Sequence, residues 1–232
     1  MGDLRAVLFD LDDTLFDHSG ASRAALHGWI PTLGVPASEL DPLITVWAEL
    51  EERHWQAWRN GEITFAEQRR RRTRDFMGEL GRPADEAELD DIFAGYLTAY
   101  RNNWFAFDDA APALKRAASA GLKVGVLTNG EQGQQTSKVA AIGLSELCGP
   151  VFASSALPRG KPHPEAYAEA CRLLGVAPHE TLMVGDNFDL DVVAARAAGL
   201  SAVHLDRNPD TSCATDCVST LTAVPLGAMT RA

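Results

Sequence analysis

The stretch Val7-Leu8-Phe9-Asp10-Leu11-Asp12-Asp13-Thr14-Leu15-Phe16-Asp17 constrains this chain more than any other. An apolar run, Ala6 to Phe9, stops at a cluster of acids. Such a run predicts a buried strand with the acids just past its carboxyl end. In open α/β sheets that edge is where ligands bind. Residues two apart on an extended chain face the same side, so Asp10 and Asp12 can point into one pocket. Carboxylates held close repel and call for a cation or a shared proton. Chemistry explains that arrangement better than stability does. The plainer alternative is that Asp12, Asp13 and Thr14 form only a turn with a helix cap.

The pattern after Phe16 changes period. Helical spacing runs over Ser19 to Leu33, with Pro31 and Gly34-Val35-Pro36 as punctuation. A second helix is predicted from about Ser38 to Arg59, ended by Asn60-Gly61. Thr64 with Glu67 three residues on matches a capping box and opens a third, running to Leu80. A fourth starts at Asp85 and runs to about Tyr100. From Asp108 the chain alternates. Helices over Ala110 to Ala120, Gln132 to Ile142, Pro164 to Leu174 and Leu190 to Ala198 are interleaved with short apolar runs. Those runs are Leu122 to Leu127, Val151 to Ala153, Leu182 to Gly185 and Ala202 to Leu205, with Val218 as a possible edge strand. Alternation of this kind predicts βαβ units and a parallel sheet. The expected fold is α/β: a Rossmann-like, doubly wound core from residues 1–17 and 104–232, carrying an inserted all-helical domain over 18–103.

Charge and composition narrow the partners. The net charge is −11, which argues against a nucleic-acid polymer or an anionic membrane as partner. No apolar run reaches the length of a bilayer span. Met1 to Arg5 lead straight into the first strand and leave no room for a signal peptide, so a cytoplasmic protein is expected. Cys148, Cys171, Cys213 and Cys217 form no CxxC pair, and free thiols are the expectation. A bridge between Cys213 and Cys217, or a metal clip with His204, is the lesser alternative.

Polar residues now stand at four strand ends: Asp10 and Asp12; Thr128 and Asn129; a loop with Lys161; and Asp186 with Asp191. In a parallel sheet these ends share one edge and can converge. The set holds carboxylates for a hard cation, a hydroxyl and an amide, and one ammonium. Mg2+ takes oxygen ligands, few of them carboxylates, together with phosphate oxygens. Lysine is a compact charge suited to phosphate. The set reads as a site for phosphoryl transfer.

In these residues the chain resembles the haloacid dehalogenase superfamily over nearly its whole length. Asp10-Leu11-Asp12-Asp13-Thr14 matches the first family motif, DxDxT, and Thr128 after an apolar strand matches the second. Lys161 in Arg159-Gly160-Lys161-Pro162 matches the third, and Gly185-Asp186-Asn187-Phe188-Asp189-Leu190-Asp191 the fourth, GDxxxxD. The helical insertion is similar to the family's C1 cap. The resemblance implies a phosphoric monoester hydrolase: a Mg2+-dependent phosphatase acting on a small phosphorylated metabolite through an aspartyl phosphate. It implies Asp10 as nucleophile and Asp12 as general acid and base. Thr128, Asn129 through its backbone, and Lys161 would bind phosphate. Asp10, Asp186, Asp191 and the Asp12 main-chain carbonyl would hold the metal, with Asp191 acting directly or through water. Dehalogenases of the family typically lack the second aspartate of the first motif, so Asp12 argues for phosphate chemistry. A phosphomutase, a 2-haloacid dehalogenase-type hydrolase and a non-catalytic phosphate-ligand binding protein on the same fold stay open as alternatives. Motif four carries Asn187 where serine is common, and both side chains hydrogen-bond.

Other residues have plainer readings. Arg69, Arg70, Arg71, Arg72 and Arg74 wrap around a helix and are expected to form a solvated face. Trp47, Trp55 and Trp58 fall at helical spacing and are expected to pack the interior of the helical domain. His163 reads as loop structure, His18 equally as a surface or a substrate-facing residue, and Asp13 and Asp17 as turn and cap residues.

Overall fold

The computed structural model describes residues 4–208 and 217–226. The chain divides into two compact units, Met1–His18 with Phe105–Ala232, and Ser19–Trp104. β1 (Ala6–Phe9) is followed by the helices α1 (His18–Trp29), α2 (Leu40–Arg59), α3 (Phe65–Glu79) and α4 (Leu89–Arg101). Pro31 falls in the first turn of a 3-10 segment, Ile30–Leu33, that closes α1, and Gly34 in the left-handed region (φ 77°) ends it. The Thr64 hydroxyl accepts from the Glu67 N–H at 3.1 Å, which satisfies a free amide at the start of α3. α4 begins later than Asp85 because Glu88 folds back, its carboxylate accepting from the Asp85 N–H at 3.1 Å in a turn ahead of the helix.

The helical unit packs around Trp47, which is fully buried. Its ring meets those of Trp29 and Phe76 at 5.1 Å and Tyr96 at 4.5 Å between centroids. Aromatic pairs at such spacings add to the burial of their area. Trp55 and Trp58 behave differently from Trp47. They are half-buried and form a separate cluster with Phe65, at centroid distances of 4.9 to 5.9 Å. The arginine run divides as well. Arg70 and Arg74 pair with Asp90 and Glu86 on the surface, and Arg71 with Glu67 one turn away. Arg69 lies over the Phe65 ring, 4.4 Å from its centroid. Arg72 overturns the expectation of a solvated face. It is 3% exposed, ion-paired with Glu51, and its guanidinium lies 4.8 Å over the Trp47 ring. The weakly hydrated planar guanidinium suits such a position better than an ammonium would.

The other unit continues with α5 (Ala110–Ser119), β2 (Lys123–Thr128), α6 (Gln132–Ala141), β3 (Val151–Ala153), α7 (Pro164–Leu174) and β4 (Thr181–Gly185). A π-helical turn, Phe188–Val193, leads into the short α8 (Ala194–Ala197), followed by β5 (Ser201–Leu205) and β6 (Cys217–Val218). The strands form one parallel sheet in the order β3-β2-β1-β4-β5-β6. This is the doubly wound α/β arrangement that the alternation predicts, and β6 includes Val218. All four residues of β1 are buried, as a central strand covered on both faces requires. Phe9 pairs in register with Val126 of β2 and with Val184 of β4. β2 runs two residues and β4 one residue past the partner of Phe9, so Asp10, Thr128 and Asp186 lie at one edge.

Among the described residues, no helix is long and apolar enough to cross a membrane. Cys148 and Cys171 are free and buried. Cys217 is disulfide-bonded, so the expectation of free thiols fails for that residue. Cys213 lies outside the described residues.

Candidate active site

The turn after β1 brings the first acids into place. Asp10 continues the strand, its N–H donating to the Val184 carbonyl at 2.9 Å. Asp13 takes up a left-handed conformation (φ 56°), which aspartate tolerates better than most residues. Its N–H donates to the Phe16 carbonyl at 2.7 Å, so Asp13 serves the turn. The Thr14 hydroxyl donates to the Asp186 carboxylate at 3.1 Å and accepts from the Asp186 N–H at 3.1 Å, joining the first and fourth motifs. Arg207 fixes the outer side of this turn: it donates to the Thr14 carbonyl at 2.8 Å and pairs with Asp109 at 2.9 Å.

Lys161 sits at the centre, 3% exposed. Its ammonium lies 2.9 Å from Asp10 and 2.6 Å from Asp191. Asn129 holds the loop that carries it. The Asn129 amide donates to the Lys161 carbonyl at 2.8 Å and accepts from the Lys161 N–H at 2.9 Å. The Asn129 side chain is thus used in bracing the loop. Asp191 is fully buried on the π-helical turn, and its second oxygen accepts from the Asn187 N–H at 3.2 Å. The Asn187 side chain accepts from the Leu190 N–H at 3.1 Å and caps that turn. Gly185 makes room for Asp191: a Cβ there would fall 2.1 Å from the Asp191 carboxylate.

Asp10, Asp186 and Asp191 offer carboxylate oxygens within 4.8 Å of one another. Three acids share the one ammonium of Lys161, and the electrostatics record the imbalance. Burial pushes the Asp10 carboxyl well above the usual range, opposed by Lys161 and assisted by Asp191 and Asp186. Burial, Asp191 and Asp13 push Asp186 up to about 6. Burial alone would lower the Lys161 pKa, but Asp10 and Asp191 outweigh it and hold the ammonium charged. A surplus of hard oxygen donors whose anionic forms are disfavoured is the donor chemistry that a divalent cation such as Mg2+ fits. A second grouping, His204, Asp206 and Cys217, does not fit as a metal clip, because the disulfide removes Cys217 as a thiolate. His204 instead meets the Asp186 carbonyl at 2.8 Å.

The Asp12 carboxylate is not one of that acid cluster. Its oxygens meet α6: Oδ1 lies 2.6 Å from the Lys138 ammonium, and Oδ2 accepts from the Gln135 amide at 3.0 Å. Burial raises the Asp12 carboxyl, but Lys138, His18 and Gln135 outweigh it, and the net shift is downward. Gln135 also donates to the Thr128 hydroxyl at 2.8 Å. Sequence reasoning missed Gln135 and Lys138. Their signal was a glutamine and a lysine on the same helical stripe as the apolar Val139 and Ile142, a face a solvated lysine avoids. His163 is exposed at the start of α7, its N–H donating to the Gly160 carbonyl at 3.0 Å, which agrees with a loop role.

The chain matches the family model described as haloacid dehalogenase-like hydrolase over residues 4–199. It is 30% identical over 208 residues to a glyceraldehyde 3-phosphate phosphatase of Methanopyrus kandleri, covering 88% of this chain and 84% of that protein. The L-2-haloacid dehalogenase of Xanthobacter autotrophicus shares the fold with a TM-score of 0.70 at 29% identity, over 89% of this chain and 79% of that one. The HAD-hydrolase YfnB of Bacillus subtilis, solved with magnesium, superposes with a TM-score of 0.82 at 23% identity, over 95% and 96% of the two chains. The match across the parallel-sheet unit and its helical insertion establishes that this chain belongs to the haloacid dehalogenase-like hydrolases.

Proposed function

We propose that the chain is a Mg2+-dependent phosphatase that hydrolyses a small phosphorylated metabolite through an aspartyl phosphate. The observation that carries the reading is the cluster of Asp10, Asp186 and Asp191 around the buried Lys161, with Thr128 on the adjacent strand end. The phosphatase named among the relatives supports it.

Asp10 is the nucleophile. One of its carboxylate oxygens bonds to phosphorus as the bond from phosphorus to the leaving oxygen breaks. Asp12 enters this step protonated, against the downward shift that Lys138, His18 and Gln135 impose on it without substrate; it gives the leaving oxygen that proton, and the alcohol departs. In the second half Asp12 takes a proton from water. The water oxygen bonds to phosphorus, and the bond to Asp10 breaks, which frees the carboxylate and inorganic phosphate. Thr128, the Asn129 backbone and Lys161 hold the phosphoryl oxygens and balance their charge. Asp10, Asp186, Asp191 and the Asp12 carbonyl would hold the cation, which supplies positive charge against the repulsion between the Asp10 carboxylate and the phosphate dianion. The helical unit, inserted where the family carries its cap, selects among esters.

The test is turnover of p-nitrophenyl phosphate with and without Mg2+. Hydrolysis is expected to vanish with chelator and return with added Mg2+. Asp10→Asn keeps the shape and removes the nucleophile, so activity is expected to fall by about 10⁴-fold or more, the scale of losing a catalytic-unit residue. Metal-independent turnover, or a variant as active as wild type, refutes the reading. A second reading, a 2-haloacid dehalogenase-type hydrolase, draws on the likeness to the Xanthobacter enzyme. Halide release from a 2-haloacid by a chain inert towards phosphate esters would favour it.

A further inference from the structure

Three residues of α6 are buried, Gln135, Lys138 and Val139, and two of them are polar, one turn apart. Gln135 is 1% exposed and Lys138 3%. Burying a lysine is costly unless its charge is matched. Here it is matched by Asp12, at 2.6 Å, while the ammonium lies 5.0 Å over the Phe16 ring. The Gln135 amide donates to two groups of the proposed reaction, the Asp12 carboxylate at 3.0 Å and the Thr128 hydroxyl at 2.8 Å, with a longer contact to the Asn129 carbonyl at 3.4 Å. The backbone admits this arrangement at Gly130, where a Cβ would fall 2.9 Å from the Gln135 side chain.

We propose that Gln135 and Lys138 are positioning residues that fix the Asp12 carboxylate and aim the Thr128 hydroxyl for phosphoryl transfer. The inference rests on the phosphatase reading above. A carboxylate has two oxygens, and donors on both define its plane. Lys138 takes Oδ1 and Gln135 takes Oδ2. Proton transfer to a leaving oxygen needs a donor at hydrogen-bond reach, so a carboxyl that swings freely serves it poorly. A hydroxyl is one donor and an acceptor. With Gln135 donating to its oxygen, the Thr128 proton is turned towards the Asn129 carbonyl at 3.4 Å, a long contact that a phosphoryl oxygen would replace.

The experiment uses the full chain with Mg2+ and two esters, p-nitrophenyl phosphate and glycerol 2-phosphate. The nitrophenolate departs without a proton, while the alkoxide of glycerol needs one. Lys138→Met is expected to lower kcat on glycerol 2-phosphate by about 10²-fold, the cost of misplacing a reacting group by about 1 Å. The loss on the aryl ester is expected to be much smaller, with little change in KM on either. Lys138→Arg is expected to recover most of the loss. Gln135→Leu is expected to raise KM on both esters, because Thr128 loses its aim. A purely structural ion pair would instead reduce both esters equally, and Arg would give no selective recovery. Equal losses of kcat on the two esters in Lys138→Met, or wild-type kinetics in folded Lys138→Met and Gln135→Leu, overturn the proposal. If Lys138→Met fails to fold, Lys138→Gln, which also removes the charge, is put through the same two-ester comparison. Wild-type protein inert towards both esters would sink the phosphatase reading itself, whereas an active wild type with unaffected variants sinks only this inference.

Discussion

Replacing Lys161 by methionine tests the electrostatic account of the site without reference to catalysis. The substitution keeps the length of the stem and removes the charge. Lys161 lies 2.9 Å from Asp10 and 2.6 Å from Asp191. Coulomb attraction at these distances is about 6 kcal/mol for each pair at an effective dielectric of ~20. Desolvation of the ammonium offsets much of that, and removing one partner of a buried ion pair typically costs about 3–5 kcal/mol. For a domain of this size, each kcal/mol shifts Tm by about 2–4 °C, so the variant is expected to melt roughly 6–20 °C lower at neutral pH in metal-free buffer. The sign with pH is fixed by the carboxylates. Asp10 and Asp186 have raised pKa values, so the folded state holds protons that the unfolded state has released, and stability grows as pH falls from neutral towards about 4. Without Lys161 that dependence steepens, and the gap to wild type narrows on acidification. The Lys161 pKa is itself raised, so the ammonium stays charged throughout this range and only the protonation of its carboxylate partners changes. Added Mg2+ is expected to narrow the gap as well, by binding the folded state. Calorimetry is the suitable assay. All five tryptophans, at 29, 47, 55, 58 and 104, lie in the helical unit, so their fluorescence reports that unit rather than the one holding Lys161. A variant that melts within about 2 °C of wild type at neutral pH, or a gap that widens on acidification, would refute the charge balance argued here.

Three further substitutions test packing and burial. Gly185→Ala is expected to lower Tm by about 10 °C, since overpacking of about 1–3 kcal/mol adds to displacement of the buried Asp191 carboxylate; kcat/KM is expected to fall with it, and a variant normal in both would show that Asp191 moves aside freely. Arg72→Met and Arg74→Met separate the buried arginine from an exposed one. The first is expected to destabilise by about 3–5 kcal/mol because it removes one partner of a buried ion pair. The second removes a surface pair and is expected to cost no more than about 1 kcal/mol; equal effects in urea unfolding followed by tryptophan fluorescence would contradict the burial argument.

Much of this protein is decided locally and is therefore legible in its sequence. The all-apolar Ala6 to Phe9 specifies a central strand because only a strand covered on both faces buries every side chain. The alternation after Asp108 specifies a parallel sheet because parallel strands need crossovers. Given those two facts, Asp10, Thr128 and Asp186 must share an edge. The sequence could not tell which side chains are consumed by one another. Asp10 and Asp12 sit at a spacing that lets both face one pocket, yet Asp12 turns to Lys138 and Gln135, residues more than a hundred positions away. Arg72 belongs to a run whose composition reads as surface, and it is buried because Glu51 and the Trp47 ring lie against it. Trp55 and Trp58 share a period with Trp47 but not its burial, because the interior of the unit closes around the Trp29, Phe76 and Tyr96 rings instead. Periodicity fixes which face of an element a residue occupies; the charge or ring that meets it there comes from another element, and only the packing of the two decides whether that residue is solvated, paired or held ready for chemistry.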